Sequence, residues 1–193
     1  EGIKMHDKGD YEGAIQFYKK ALQSDKNSIQ ANYELASSYL AIKNYANTLK
    51  YADKVIARNL DYVDQAYILK GSALDLMGRK PEAINTYRLA LKKYKTNHLL
   101  YYNLALTSFN IKNYKEAARF ADSALFYVLK TGHKPSIAET YRLISEIARE
   151  QGDYKKALEY SSLGSAIKDS VSNVEKAAAV AELEKKYNQA KNE

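Results

Sequence analysis

The chain has 193 residues, 46% of them hydrophobic, with no cysteine and a formal net charge of +7. Without cysteine there is no disulfide framework, no zinc ribbon and no thiol nucleophile, and no apolar run approaches the ~20 residues that a membrane-spanning helix needs. The lysines and arginines alternate along the chain with Glu and Asp, without a block of five or six, which is the pattern of a solvated surface rather than of a nucleic-acid tail. The first residues also lack the basic-then-apolar pattern of a signal peptide.

Two prolines, eight glycines and eighteen tyrosines among abundant Leu, Ala and Lys favour an all-helical chain. Residues 1–8 have room only for a clipped first helix. The phrase that follows, Gly9-Asp10-Tyr11-Glu12-Gly13-Ala14, returns around Tyr45, Lys80, Tyr114 and Tyr154, at steps of 34, 35, 34 and 40 residues. A period near 34 broken by one insertion predicts a stacked repeat array. In the first copy Tyr11, Ala14, Tyr18 and Ala21 form one helical stripe, with Asp10 placed as its N-cap. Ser28 is placed to cap the next helix, which carries Asn32, Leu35, Ala36 and Tyr39, and its partner starts after Asn44.

The third unit brings Tyr67, Lys70-Gly71 and Leu74, then Ala83, Tyr87 and Ala90. The fourth brings Tyr101, Leu104-Ala105 and Ser108, then Ala117, Ala121 and Ala124. Small residues at one face let two helices approach closely, and aromatic rings fill the space beside them. This pattern resembles the tetratricopeptide repeat. It departs from it in having no tryptophan, in Thr48 at an alanine position, and in Lys26, Leu60 and Lys95 where a closing proline is usual. The resemblance covers roughly residues 1–168. It implies a right-handed α-solenoid with units at about 1–28, 29–63, 64–97, 98–131 and 138–168, and an inserted loop at 132–137. Residues 169–193 are the expected C-terminal helix or linker. In that insertion Ser136 and Glu139 have the spacing of a capping box that restarts the helix.

Near the C-terminus, Ser161-Ser162-Leu163-Gly164-Ser165 is rich in small residues, and Gly164 stands where alanine usually makes a helix contact. Ser172 and Glu175 offer a second capping box, and Val180, Leu183, Tyr187 and Ala190 form a short seam of the coiled-coil kind. The stretch 166–176, with Lys168-Asp169-Ser170, Asn173 and Glu175-Lys176, followed by Ala181-Glu182-Leu183 and Lys186-Tyr187, resembles the junction in a family of Gram-negative, membrane-anchored signalling proteins. There, tetratricopeptide repeats lead into a transmembrane segment and a histidine kinase or helix-turn-helix output. The resemblance implies the extracytoplasmic sensor portion of such a protein, on the periplasmic side; without it, the expectation is a cytoplasmic adaptor or scaffold.

The sequence offers no catalytic constellation and calls for no metal and no cofactor. His6, His98 and His133 are far apart in the repeat register. Glu139 and Glu146 alternate with Arg142 and Arg149 at the spacing of ion pairs along one helix. No strand leads into a glycine-rich phosphate loop. The resemblance instead implies a concave surface lined by the first helix of each unit. The inward positions are Gln30, Tyr33, Ser37 and Leu40; Gln65, Ile68, Ser72 and Asp75; Leu99, Tyr102, Leu106 and Phe109; and Glu139, Arg142, Glu146 and Arg149. Tyr33, Leu40, Ile68, Leu99, Tyr102, Leu106 and Phe109 are the expected apolar anchors for a protein or peptide partner, and the four charged residues the rim that orients it. A clamp for a terminal carboxylate would need basic and amide groups at Ile68, Ser72, Asn103, Glu139 and Leu143, and only Asn103 fits. A small-molecule substrate is not expected, nor is nucleic acid, although the +7 charge permits a nucleic-acid binder as the remaining alternative. Membrane attachment would come only through flanking segments, and a homodimer would form through the C-terminal helix.

Overall fold

The computed structural model describes residues 1–170 and Asn173. Nine helices are α1 (Gly2–Asp7), α2 (Tyr11–Ser24), α3 (Ile29–Ala41), α4 (Tyr45–Arg58), α5 (Val63–Leu76), α6 (Lys80–Lys93), α7 (His98–Asn110), α8 (Tyr114–Thr131) and α9 (Lys134–Glu150). A tenth, α10, covers residues 154–170. They pair as α1/α2, α3/α4, α5/α6, α7/α8 and α9/α10, the five units of the expected α-solenoid. Successive odd-numbered helices also touch one another, α3 with α5, α5 with α7 and α7 with α9. They therefore form the closer, inner row of the stack. The Ser172/Glu175 capping box and the seam from Val180 to Ala190 lie outside the described residues.

One device closes every unit. The amide of the third residue past the first helix reaches back five positions: Asp10 to Met5, Asn44 to Tyr39, Arg79 to Leu74, Asn113 to Ser108 and Asp153 to Ala148, all at 2.8–2.9 Å. This bond is the signature of a Schellman C-terminus. It requires a left-handed residue just before, and Gly9, Lys43, Gly78, Lys112 and Gly152 all have φ between 59° and 82°. The same Asp or Asn then caps the next helix. Asp10 accepts from the Gly13 amide, Asn44 from Asn47, Asn113 from Glu116 and Asp153 from Lys156. In the third unit Arg79 makes no side-chain cap. Pro81 in the first turn of α6 and the Arg79–Glu82 ion pair stand in its place.

The interior follows the predicted alternation of small and large residues. Ala14, Leu35, Ala36, Ala52, Val55, Ala83, Leu100, Leu104, Ala117, Ala121 and Ala124 have no exposed surface, and Tyr87 has almost none. Thr48 takes its alanine position without an orphaned hydroxyl, because it donates to the Asn44 carbonyl at 3.1 Å.

The insertion is not a loop. α8 has 18 residues, against 14 in each of α2, α4 and α6. α9 begins at Lys134, so only Gly132 and His133 separate the two. Proline is compatible with the first turn of a helix, where no intrahelical partner is needed for its missing N–H; Pro135 occupies such a place. Ser136 therefore lies inside α9 and makes no capping box with Glu139. The cap is His133, whose Nδ1 accepts from the Ser136 amide at 3.3 Å.

Candidate functional site

The inner row runs across the units as rungs. In α3, Tyr33 is half-buried and stacks on Tyr62 from the turn before α5, with ring centroids 4.9 Å apart. Leu40 is half-buried at the next-to-last position of the same helix. Ile68 of α5 and Tyr102, Leu106 and Phe109 of α7 are partly buried against the largest apolar cluster, while Leu99 at the start of α7 is exposed. The fourth unit thus presents its apolar side chains edge-on, each resting on the core with part of its surface in solvent.

The fifth unit is joined to it directly. The Tyr102 hydroxyl donates to Glu139 Oε2 at 3.3 Å. Arg142 donates to the same Glu139 oxygen at 3.4 Å and to Glu146 Oε1 at 2.6 Å. Burial and then the Glu139 charge push the Tyr102 hydroxyl above the usual tyrosine value. At Arg142 burial disfavours the charge, but Glu146, Glu139 and Tyr102 outweigh it and hold the guanidinium above its ordinary value. Arg149 is exposed further along α9 and makes no ion pair among the described residues. Glu139, Arg142, Glu146 and Arg149 also line one wall of a groove of about 770 Å³, whose other wall is Ser161, Gly164, Ser165 and Lys168 of α10. Gly164 is buried there, its α-carbon close enough to α9 that an added β-carbon would touch the Ala138 carbonyl at 3.5 Å.

Not every inward position is open. Asp75 is held by Lys80 at 2.5 Å and by the Thr107 hydroxyl at 3.0 Å. Its carboxylate ties unit three to unit four and is not offered to a ligand. Asn103, the one residue that suits a carboxylate clamp, donates its amide to the Leu99 carbonyl at 2.7 Å, and Leu143 is buried. The first unit adds His6, which lies 3.4 Å from Ser37. Nearby, burial raises the Glu34 carboxyl; His6 opposes this and Asp7 adds to it. Carrying the repeat register back into α1 places His6 on the inner row.

The histidines are not all remote from one another. His98 and His133 sit one repeat apart, which in a stack means side by side, and burial together with His133 lowers the His98 pKa. Among the described residues no group of three or more His, Asp or Glu is arranged to hold a metal ion, and no helix is long and apolar enough to cross a membrane.

Two family models match the chain, one described as TPR repeat over residues 4–47 and one as tetratricopeptide repeat over residues 68–131. A TPR repeat-containing protein of Methanocaldococcus jannaschii is 30% identical over 127 residues, covering 64% of this chain and 22% of that protein's length. Among solved structures, MamA superposes with a TM-score of 0.69 at 24% identity, over 89% of this chain and 96% of its own. YrrB, described as a TPR protein with an unusual peptide-binding site, superposes with a TM-score of 0.59 at 17% identity, over 86% and 82%. At these identities the two structures bear on the fold alone.

Proposed function

Because the chain belongs to the tetratricopeptide repeat proteins, we propose that it is a non-catalytic module that binds a protein or peptide along its inner row of helices. The observation that carries this reading is the chain of contacts from Tyr102 through Glu139 and Arg142 to Glu146. It makes an apolar rung and a charged rung one continuous, pre-positioned surface. Tyr33, Leu40, Ile68, Leu99, Tyr102, Leu106 and Phe109 supply the apolar contacts. Arg142 and Arg149 face the same groove with Glu139 and Glu146, so the partner is a segment with apolar side chains bracketed by charges of both signs. The peptide-binding site named for YrrB, on a shared fold, supports the same reading.

The test is selection of peptides from a displayed random library on the immobilised chain, followed by titration of the winners against variants. Tyr102→Ala and Leu106→Asp are expected to weaken binding by roughly tenfold or more, as central apolar contacts do. Arg142→Ala is expected to weaken it less and to change its salt dependence. Winners that bind all three variants as well as the parent would remove the inner row from consideration.

In its finer form the proposal places this array in the extracytoplasmic sensor portion of a membrane-anchored signalling or transcriptional regulator, on the periplasmic side of a bacterial membrane. Its support is the resemblance of residues 166–187, most of which lie outside the described residues. The downstream reading frame tests it: an apolar spanning segment followed by a kinase or DNA-binding domain is expected, and a frame without them would leave the peptide-binding module and withdraw the sensor.

A further inference from the structure

All even-numbered helices run toward the same edge of the stack, and on that edge the turns from α6 to α7 and from α8 to α9 lie side by side. Tyr101 at the start of α7 joins them. Its hydroxyl donates to the Lys95 carbonyl at 3.1 Å, and its ring stacks on Tyr127 with centroids 5.4 Å apart. Segments 92–99 and 126–137 together hold five lysines, Lys92, Lys93, Lys95, Lys130 and Lys134, and no acidic residue. From the preceding unit, Asp64 is taken by the Asn97 amide at 2.8 Å, while Asp61 stands exposed in the turn before α5. In sequence Lys130 and Lys134 lie 35 or more residues from the Lys92, Lys93 and Lys95 group; the repeat period brings the two sets together.

The same corner carries apolar side chains that the fold leaves outside. α8 runs one turn past the length of α2, α4 and α6; Leu129 on that turn and Phe126 just before it are 49% and 55% exposed. Lys130 lies over the Phe126 ring, 4.0 Å from its centroid. The last described residues of α10 reach this edge too, with Lys134 donating to Ser170 at 3.3 Å, and they bring one acidic group, the exposed Asp169, beside Lys168.

We propose that this corner is a docking surface for an anionic lipid bilayer. A helix end with exposed apolar side chains cannot enclose a peptide as a groove does, but it can enter the headgroup layer. There Phe126 and Leu129 would leave water, while the lysines extend along the surface toward lipid phosphates. Nucleic acid would satisfy the lysines and leave Leu129 without a partner, because a phosphate backbone offers aliphatic groups nothing. Both features together are met by a charged surface with an apolar layer beneath it. The surface is distinct from the inner row and does not rest on the peptide-binding reading.

The test is co-sedimentation of the full chain with phosphatidylcholine vesicles, with and without phosphatidylglycerol, across a salt series. Binding to the anionic vesicles only, weakening as salt rises, is expected. Each basic residue near such a surface contributes roughly fivefold, so Lys130→Glu with Lys134→Glu is expected to reduce binding by at least roughly tenfold. Phe126→Ser with Leu129→Ser is expected to reduce it several-fold. The matched control, Lys8→Glu with Lys155→Glu on the opposite edge, makes the same change in net charge and is expected to bind as the parent does. Circular dichroism melts identify any variant that has lost its fold. The proposal is overturned by equal losses in the two charge-reversal pairs, by binding indifferent to the Phe126 and Leu129 changes, by equal binding to neutral vesicles, or by duplex DNA displacing the vesicles from the corner.

Discussion

The ring of Tyr87 fills the space that a β-carbon on Gly71 would need. Tyr87 is 1% exposed, and its hydroxyl lies 3.3 Å from Ser72, one residue along from that glycine. The helices α5 and α6 are thus as close as they are because one position has no side chain. Gly71→Ala forces the ring or the helix aside, at a cost of about 1–3 kcal/mol. Tyr87→Phe loses only the hydroxyl contact, about 1 kcal/mol. Denaturant melts of the two variants rank them; a Gly71→Ala protein as stable as the parent would show that the helix pair has slack.

The left-handed turn position predicts gains as well as losses. Lys43 and Lys112 hold φ of 59° and 61° where three other units have glycine. A residue with a β-carbon is disfavoured there by about 1–2 kcal/mol, and the greater freedom of unfolded glycine returns about 0.5–1 kcal/mol of that. Lys43→Gly and Lys112→Gly are therefore each expected to raise stability by a few tenths to about 1 kcal/mol. Thermal melts provide the measurement, and a lowered midpoint in both would contradict the account.

Ser38 is fully buried and its hydroxyl oxygen has no hydrogen-bond partner among the described residues. An unpartnered buried hydroxyl costs about 1–3 kcal/mol. Ser38→Ala keeps the small size of the site and removes the orphan, so a higher melting temperature is expected. A clear loss of stability would mean that the hydroxyl is satisfied in solution.

Alkaline pH is expected to loosen the array through its tyrosines. Burial, reinforced by Glu34 and Asp7, pushes the Tyr18 hydroxyl up to about 12. Burial also raises Tyr33, Tyr87 and Tyr102. A group whose folded pKa exceeds its unfolded value near 10 contributes stability that is complete below that value and is lost as pH rises through the folded one. The melting temperature is therefore expected to fall above pH ~10. Tyr18→Phe should reduce the fall, and tyrosinate absorbance should report ionisation lagging behind that of free tyrosine. A flat melting profile across that range would count against burial as the cause.

The repeat was legible because it is written in side-chain size, and size survives substitution. Tyr18, Tyr39 and Tyr87 against Ala14, Ala36 and Ala83 announce the helix pairs without any other information. Cap chemistry was legible at Asp10 and Ser28 for the same local reason. The insertion was misread because Pro135 was treated as a loop residue, although the first turn of a helix accepts it. Asp75 looked like a groove carboxylate because its partners Lys80 and Thr107 come from the following helix and the following unit. His98 and His133 looked remote because distance along the chain was counted before the stack was built. The joining of Tyr102 to Glu139 across 37 residues has no local signal; only the register of one unit against the next shows it.

Among the described residues the apolar interior is divided into three bodies. One joins units one and two around Leu35, a small one bridges units two and three around Val55, and the largest spans units three to five around Leu104 and Tyr87. Such an array need not melt as one piece, since each unit leans only on its neighbours. Opening from the amino-terminal side would release Tyr33 and Leu40 while Tyr102, Leu106 and Phe109 remained held, a half-length receptor that grips one end of its guest after letting go of the other.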